Sequence, residues 1–411
     1  MTKSLPLNVT IIGAGIAGLF AARVLREKHN VTILERSSGG NEVGAAVTPG
    51  PNATKWLTKY GWDPRRCGAL PLVRVRVLDE HGTVIRTQDV TGMKENFRSD
   101  WLVVHRIDLW NELLRLATGS SEKLGLPGSP AKVIWRAQVV GVDVESGDVR
   151  LADGTVIASD LVIGADGIKS VVRPFVLPDA AKPRSTGSSM FRFVIPREVV
   201  NQVTPDAPLG RSGSRSGSEL NVRLALDGTK RSVVSYPCRN HELLNVGCIA
   251  SNALINLPTA DSWVAPGTKE DLLRVFGDFY VRPILEKAEN IKLWELRDND
   301  ALPTYINGRT VLIGDAAHAM SPHQGQGASQ AIEDGEAMSL FVDQAVSRDM
   351  VGSVLKDFDR VRQVRASKIQ AITRSVHESK SPETMWKNQQ YNFTYGGIRE
   401  WLDRLQAGQD I

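Results

Sequence analysis

The chain reads VTIIGAGIAG at residues 9–18, and this stretch decides the fold. Its apolar, β-branched beginning predicts a buried strand over residues 9–14, and apolar residues at helical spacing predict a helix over residues 16–28. Residues 31–35 predict a second strand, parallel to the first. Strand, glycine turn, helix and strand in this order form the Rossmann-type unit that binds a dinucleotide.

The three glycines of this unit and the acidic residue at the end of its second strand each have a physical role. Gly13 permits the tight turn, Gly15 lets the backbone approach a pyrophosphate, and Gly18 lets the helix pack closely on the strand. The helix N-terminus offers free amides and a partial positive charge to the phosphates. Glu35, followed by Arg36, ends the second strand, where a carboxylate accepts hydrogen bonds from ribose hydroxyls. These five residues are the first predicted cofactor contacts.

Two later stretches repeat the pattern of an apolar strand that breaks into a glycine loop. They read DLVIGADG at residues 160–167 and VLIGDAAH at residues 311–318. Asp166 stands two residues after Gly164, and Asp315 follows Gly314 directly. Asp315 is placed to bind sugar-like hydroxyls such as the ribityl chain of a flavin. The alternative for Asp315 is that its side chain caps the next helix.

The third stretch continues into PHQGQG at residues 322–327, where another helix begins. The amides of Gly325, Gly327 and Ala328 would stabilise negative charge on a reduced isoalloxazine ring through the helix end. One glycine loop is weak support for any particular nucleotide, because NAD enzymes share it. Three such loops in this order narrow the ligand to FAD.

Composition sets the limits within which these motifs are interpreted. A chain of 411 residues predicts two domains around a cleft, and 42% hydrophobic residues allow a full core. The net charge of +4, without a basic tail, gives no reason to expect nucleic acid. The three cysteines form no metal-ligand pattern, and no segment reaches the ~20 apolar residues of a membrane span. We therefore predict a soluble, cytoplasmic protein without a metal site; the oligomeric state stays open.

The predicted fold is α/β. A discontinuous, Rossmann-like FAD-binding domain carries an inserted antiparallel β-sheet substrate domain and is followed by C-terminal helices. Alternating residues around 73–77 and a turn at Asp153-Gly154 support the strands, and the Ser/Gly/Arg stretch at residues 210–217 predicts a surface loop. The predicted segments are 1–70, 100–183 and 286–345 for the FAD-binding domain, 71–99 and 184–285 for the substrate domain, and 346–411 for the helices.

With these motifs the chain resembles the single-component FAD-dependent aromatic hydroxylases, and among them the salicylate hydroxylase-like group common in fungi. The matches include Gly44-Ala45-Ala46, the segment HRIDL at residues 105–109, Tyr236-Pro237, and the two later glycine motifs. The resemblance implies that Ala46 and Arg106 contact FAD, that Asp166 serves both FAD and the passing nicotinamide cofactor, and that Pro322 lies beside the reactive edge of the flavin.

The resemblance also implies a reaction. NADPH or NADH, bound transiently, reduces the FAD, and O2 then forms a flavin hydroperoxide that hydroxylates an electron-rich aromatic such as a phenol or a salicylate. Related phenol hydroxylases place an Arg and a Tyr at Arg192 and Tyr236 to bind and ionise the phenol. The family pattern also implies that Tyr236 lies on a strand next to that of Arg192. The alternative is a structural ion pair for Arg192 and sheet packing for Tyr236. Some relatives carry a histidine base where this chain has Thr48, which puts a histidine mechanism in doubt.

Proteins with this fold can also have other functions. The chain has no Trp-x-Trp-x-Ile segment of the flavin halogenases and no Phe-x-Gly-x-x-x-His segment of the Baeyer–Villiger enzymes. Epoxidation of an indole or alkene in secondary metabolism stays open, because the same oxidant performs it. A non-catalytic escort protein is the remote alternative. His318 and His323 in the flavin loop favour structural hydrogen bonds over acid–base catalysis.

Overall fold

The computed structural model describes residues 5–39, 45–204, 217–255, 264–375 and 382–411. Gly44 and most of the predicted surface loop at residues 210–217 lie outside these ranges. The strands are β1 (Asn8–Ile12), β2 (Asn30–Glu35), β3 (Ala46–Val47), β4 (Leu70–Asp79), β5 (Val84–Asp89), β6 (Leu102–His105), β7 (Lys132–Trp135), β8 (Val139–Val142), β9 (Asp148–Leu151), β10 (Val156–Ala158), β11 (Leu161–Gly164), β12 (Arg184–Pro196), β13 (Ser218–Leu224), β14 (Ser232–Cys238), β15 (Leu243–Ser251), β16 (Val264–Pro266), β17 (Lys292–Asp298), β18 (Ile306–Asn307) and β19 (Thr310–Leu312).

The helices surround these strands, and short 3₁₀ turns complete the described structure. The α-helices are α1 (Ile16–Leu25), α2 (Pro51–Lys59), α3 (Met93–Phe97), α4 (Arg106–Thr118), α5 (Ser121–Leu124), α6 (Arg173–Val176), α7 (Arg197–Val203), α8 (Lys269–Phe276), α9 (Arg282–Leu285), α10 (Asp315–His318), α11 (Gln326–Ala337), α12 (Ser339–Val342), α13 (Val351–Ser375), α14 (Pro382–Phe393) and α15 (Ile398–Gln406).

The first sheet confirms the predicted Rossmann-like unit. Its order in the described residues is β18-β19-β11-β1-β2-β7, and the strands β19, β11, β1, β2 and β7 run parallel. All four residues from Leu161 to Gly164 are buried, as expected of a strand covered on both faces. Helix α1 packs against α11, where Gly335 comes so close to Phe20 that a Cβ would lie 2.6 Å from its ring.

The second sheet is the larger one and is mostly antiparallel. Its order is β16-β17-β12-β15-β14-β13-β4-β6-β3, with β5 paired to β4. One pairing differs from the expectation of a purely antiparallel sheet, because β4 and β13 run parallel. One face of this sheet packs under α7, α8 and α9, in a core that includes Phe191, Phe193 and Phe276.

Element boundaries differ from the sequence expectations in two places. The helix expected over residues 328–346 begins at Gln326 and ends at Ala337, and the short helix α12 follows it. The long amphipathic helix expected over residues 352–377 spans Val351–Ser375, and residues 376–377 lie outside the described ranges. The predicted FAD-domain segments contain β3, β6 and β17, which pair in the larger sheet. The domain division stays a prediction.

None of the helices within the described ranges combines the length and the apolar character that crossing a membrane requires.

Candidate active site

The three glycine motifs meet at one edge of the parallel sheet. β19, β11, β1 and β2 are neighbours, so their carboxyl ends lie side by side, the usual place for a ligand in such a sheet. Backbone bonds tie the ends together: Ala165 N donates to Ile12 O at 2.8 Å, and Ile313 N donates to Gly164 O at 2.9 Å. The structure therefore brings together segments that are far apart in the sequence.

The glycines of the first motif differ in what surrounds them. Gly13 has φ +107°, and a Cβ there would lie 2.4 Å from the carbonyl oxygen of Ala165. A Cβ on Gly18 would lie 2.0 Å from the carbonyl oxygen of Gly13. At Gly15, in contrast, a Cβ would meet nothing within 4 Å. Gly13 and Gly18 are thus required by the fold, whereas Gly15 faces open space in which a pyrophosphate fits.

Glu35 is fixed by backbone amides at the end of β2. Its carboxylate accepts hydrogen bonds from Ala14 N and Ser37 N, each at 2.8 Å. A carboxylate has about four acceptor sites, so lone pairs remain for ribose hydroxyls. The neighbouring Arg36 is exposed.

Asp315 occupies the first position of the short helix α10. Gly314 is the N-cap residue, and this helix has no side-chain cap bond, so the alternative that Asp315 acts as a cap is wrong. The Asp315 side chain is exposed toward the edge where the glycine loops meet. Its backbone carbonyl accepts a hydrogen bond from the guanidinium of Arg173 at 3.1 Å, which holds the turn in place.

Asp334, on helix α11, anchors this turn from inside. Its carboxylate accepts hydrogen bonds from Gly314 N at 2.7 Å and Arg362 Nε at 2.8 Å, and lies 2.7 Å from His318 Nε2. Burial by itself raises the pKa of Asp334, but the charges of His318 and Arg362 outweigh burial and the pKa lies below its ordinary value. Asp334 was not among the predicted site residues, because the helix sequence QGASQAIEDGEA mixes polar and apolar residues and an acidic residue within it carries no distinctive signal.

Asp166 and the loop before α11 complete the predicted cofactor contacts. Asp166 Oδ2 accepts a hydrogen bond from Val171 N at 2.6 Å, while its buried Oδ1 has no partner. Pro322 is exposed at the start of a 3₁₀ turn, and Gly325 has φ +63° at the N-cap of α11. A Cβ on Gly327 would meet nothing within 4 Å, and Ala328 follows in the first turn of the helix.

On the larger sheet, three side chains from β12, β15 and β14 hold one residue of β3, a strand that pairs with β6 at the end of the strand order. Ala46 N donates to Asn245 Oδ1 at 3.0 Å, and Ala46 O accepts from Tyr236 Oη at 2.9 Å and from Arg192 Nη2 at 3.4 Å. We call this arrangement the Ala46 clamp. Ala46 also pairs with His105, directly before Arg106, so the clamp links the sheet to two predicted FAD contacts.

The structure corrects one detail of the predicted substrate site. Tyr236 on β14 is not on the strand next to Arg192 on β12, because β15 lies between them. Their side chains nevertheless meet at Ala46, since both project from the same face of the sheet. Asn245 supplies the third contact from β15 and was missed, because a lone asparagine within an apolar strand carries no distinctive signal.

Arg192 is a deeply placed cation. Burial, together with the nearby charge of Arg106, lowers the pKa of its guanidinium despite the opposing effect of Tyr236. The residue as a whole is only partly buried. Across the described ranges, no carboxylate lies within ion-pair distance of Arg192, so the predicted alternative of a structural ion pair has no partner there.

Comparisons with known proteins agree with this geometry. Residues 11–52 match the family "NAD(P)-binding Rossmann-like domain", and residues 249–371 match the family "FAD binding domain". The chain is similar to hispidin-3-hydroxylase of Neonothopanus nambi, with 32% identity over 92% of this chain and 89% of that protein. It is also similar to a salicylate hydroxylase of Pseudomonas putida, with 30% identity over 90% of this chain and 85% of that protein.

The chain belongs to the FAD-dependent monooxygenases of the aromatic hydroxylase type. This confirms the resemblance, and it settles that the protein is an enzyme rather than a non-catalytic escort. The fold of this monooxygenase is similar to that of CtdE, which was solved in complex with FAD and a substrate. The TM-score is 0.78, and the sequences are 22% identical, with 97% of this chain and 100% of that chain covered.

FAD fits the residues of this monooxygenase. Gly15 and Gly327 have open space beside them, Asp315 has an exposed side chain, and Asp166 has an unpaired Oδ1. Gly15, Asp166 and Asp315 follow the carboxyl ends of parallel strands, and Gly327 lies in the first turn of α11. Such groups suit phosphates, hydroxyls and a flat ring. The roles of the individual residues stay predictions.

A buried ionic network joins the cofactor edge of the monooxygenase to its C-terminal helices. Glu333 pairs with Arg362, and with Arg365 at 2.6 Å, and all three side chains are inaccessible to solvent. Tyr395, between α14 and α15, donates to Glu336 at 2.7 Å. The network places α14 so that Phe393 at its end packs edge-on against Trp101, with ring centroids 5.2 Å apart, beside Ala46. The sequence predicted these helices but not this position.

Proposed function

We propose that this monooxygenase uses NADPH or NADH together with O2 to hydroxylate an electron-rich aromatic substrate, either a phenol or a salicylate-like compound. The observation that carries the proposal is Arg192, a deeply placed guanidinium without a carboxylate partner in the described residues. Placing a charge away from water without a partner is costly. An acidic aromatic substrate would supply that partner.

Arg192 would act on the acidity of the substrate. A positive charge close to a phenol favours the phenolate and lowers the pKa of the hydroxyl. Ionisation raises electron density at the ortho carbon, which makes that carbon a better nucleophile. Tyr236 donates its own proton to Ala46 O, so its oxygen is left to accept a hydrogen bond from the phenolic hydroxyl.

The surroundings would keep water from the reacting atoms. An apolar cluster beside the Ala46 clamp contains Val103, Cys238 and Phe393, all almost completely buried. Bound FAD would supply the reduction of O2 and the transfer of one oxygen atom to the substrate. Exclusion of water matters because oxygen that is activated in contact with water is lost as H2O2.

The other predicted residues complete the proposal. Segments 71–99 and 184–285 would hold the substrate, and the remaining segments up to residue 345 would hold FAD. Pro322, exposed before the Gly325 turn, would lie beside the reactive edge of the ring. The cofactor contacts would be Gly13, Gly15, Gly18, Glu35, Arg36, Ala46, Arg106, Asp166, Asp315, Gly325, Gly327 and Ala328.

The test begins with the absorbance spectrum of the purified protein. NADPH and NADH oxidation is then followed in air, with and without a panel of phenols, salicylates and indoles. Stimulation by the phenols or salicylates, with a hydroxylated product, is the expected result. A product oxygenated at an indole or alkene double bond would favour the epoxidase alternative instead. Equal oxidation with every compound and no oxygenated product would contradict the proposed substrate class.

A further inference from the structure

The register of the larger sheet places Arg192 at one end of a row of residues. Arg192 pairs with Gly247, Gly247 with Val234, Val234 with Val222, and Val222 with Val77. Residues paired across neighbouring strands project from the same face. With neighbouring strands about 4.8 Å apart, the distance across the sheet from Arg192 to Val222 is about 14 Å.

This row lies on the face of the sheet that carries the Ala46 clamp. Side chains alternate along a strand, so the residues beside the row point the other way. Phe193, Val233 and Val246 accordingly belong to the core on the opposite face and are at most 2% exposed. Val222 and Val234 keep part of their surface accessible.

The part of the row next to Arg192 is apolar. A Cβ on Gly247 would lie 2.2 Å from the terminal methyl carbon of Met190, so this methyl group covers the glycine. Met190 packs with Ile249 and Leu296 on the same face. Methionine is flexible and adapts to the shape of a neighbouring group. From Arg192 onward the row therefore presents one cation and then only apolar groups as far as Val222.

We propose that the site selects elongated aromatic acids. The acidic oxygen pairs with Arg192, and an apolar extension, such as a second ring, lies along Val234 and Val222. A single-ring acid such as salicylate covers only the first part of the row. This inference rests on the proposed function, because it assigns the acidic end of the substrate to Arg192.

The test compares the binding of salicylate with that of 4-phenylsalicylate and 5-phenylsalicylate. Calorimetric titration of the FAD-loaded enzyme without NADPH or NADH gives the Kd of each compound. At least one phenyl-extended acid is expected to bind roughly tenfold more tightly than salicylate, from the apolar area it buries. Val222→Thr keeps the shape of the side chain but adds a hydroxyl, and should reduce that ratio at least about threefold.

A matched control is Val140→Thr, since Val140 is 52% exposed on β8 of a separate three-stranded sheet. It should leave the ratio of the two affinities unchanged. Equal binding of salicylate and both extended acids, or a ratio unaffected by Val222→Thr, would overturn the inference. If salicylate is bound and hydroxylated, the proposed function survives that result. If no acid binds, both fail.

Discussion

The carboxylate oxygen Oδ2 of Asp334 lies 2.7 Å from the backbone nitrogen of Gly314. Helix α11 therefore fixes the turn that presents Asp315, while the first turn of the same helix contains Gly327. The Gly314–Asp315 turn, proposed to hold the ribityl chain, and the Gly325–Gly327 turn, proposed to hold the ring of FAD, are therefore both attached to helix α11. Their spacing is set by the helix and not by the flexibility of either loop.

Replacing Asp334 with Asn should destabilise the protein strongly. The change removes the negative charge that faces Arg362 and His318 in a fully buried site. Breaking a buried ion pair from one side costs about 3–5 kcal/mol. Thermal unfolding and the FAD content of the purified variant measure the effect. Asp357→Asn is the control, because its pair with Arg360 at 3.6 Å is half-exposed and worth about 0–1 kcal/mol. A variant as stable as the wild type would contradict the anchoring role.

Asp315→Ala should weaken FAD binding without weakening the fold. The side chain is exposed and makes no cap bond, so the apoprotein should unfold at the same temperature. Lost hydrogen bonds to the cofactor should cost about 1–3 kcal/mol of binding free energy. Fluorescence titration of the apoprotein with FAD gives the Kd. Asp349→Ala, at another exposed position, serves as the control. Unchanged FAD affinity would remove Asp315 from the site.

Arg192→Gln should uncouple the reaction. Without the cation the acidic substrate is held less firmly, so NAD(P)H oxidation should continue while the product falls and H2O2 rises. The ratio of product to NAD(P)H consumed is the measurement. Arg197→Gln is a control beyond the end of the same strand, where the side chain donates to Asn201 on the surface. Equal coupling in Arg192→Gln and Arg197→Gln would show that Arg192 does not hold the substrate.

The Ala46 clamp should be cooperative. Tyr236→Phe removes the donor to Ala46 O, and Asn245→Ala removes the acceptor of Ala46 N. Each change should cost about 1–3 kcal/mol of unfolding free energy, since it removes a buried hydrogen bond to the backbone of Ala46. After Tyr236→Phe, the longer contact from Arg192 at 3.4 Å is the side-chain bond that Ala46 O keeps. Both act on one residue, so a double-mutant cycle should give a coupling energy of about 0.5–3 kcal/mol. Strictly additive effects would show that the two contacts act independently.

Glu336 should make stability depend on pH. Burial raises its pKa from 4.5 to about 7, against the opposing effects of the Tyr395 hydroxyl, the Ile398 amide and the charges of Lys59 and Arg362. An acid whose pKa is raised by folding contributes its full stability below the unfolded-state pKa. That contribution, about 3 kcal/mol, is lost as the pH rises from about 4.5 through about 7.

Urea unfolding at pH 5 and pH 8 measures this effect in the wild type and in Glu336→Gln. The neutral amide keeps an acceptor for Tyr395 but does not titrate. The variant should therefore gain stability relative to the wild type on going from pH 5 to pH 8. If the difference in unfolding free energy between the two proteins is the same at pH 5 and pH 8, Glu336 does not ionise between these pH values and the prediction is wrong.

Local sequence was sufficient for the cofactor edge of the fold. The glycines of the first motif mark a tight turn between β1 and α1, and Gly18 packs directly on the backbone of Gly13. The apolar strands around this turn are typical of a buried parallel sheet. The βα units and the FAD requirement followed from these patterns. The physical reason is that short-range sterics and hydrophobic periodicity act within one or two elements.

Only the tertiary structure decided which distant groups meet. Asp334 reaches Gly314 because α11 packs on α1. The Ala46 clamp forms because β12, β15 and β14 are neighbours in the larger sheet and their three clamp side chains project from the same face. Strand order and register place Arg192 in line with Val234 and Val222. Pairings of this kind depend on long-range packing and on the removal of polar groups from water, and these leave no periodic mark in the sequence.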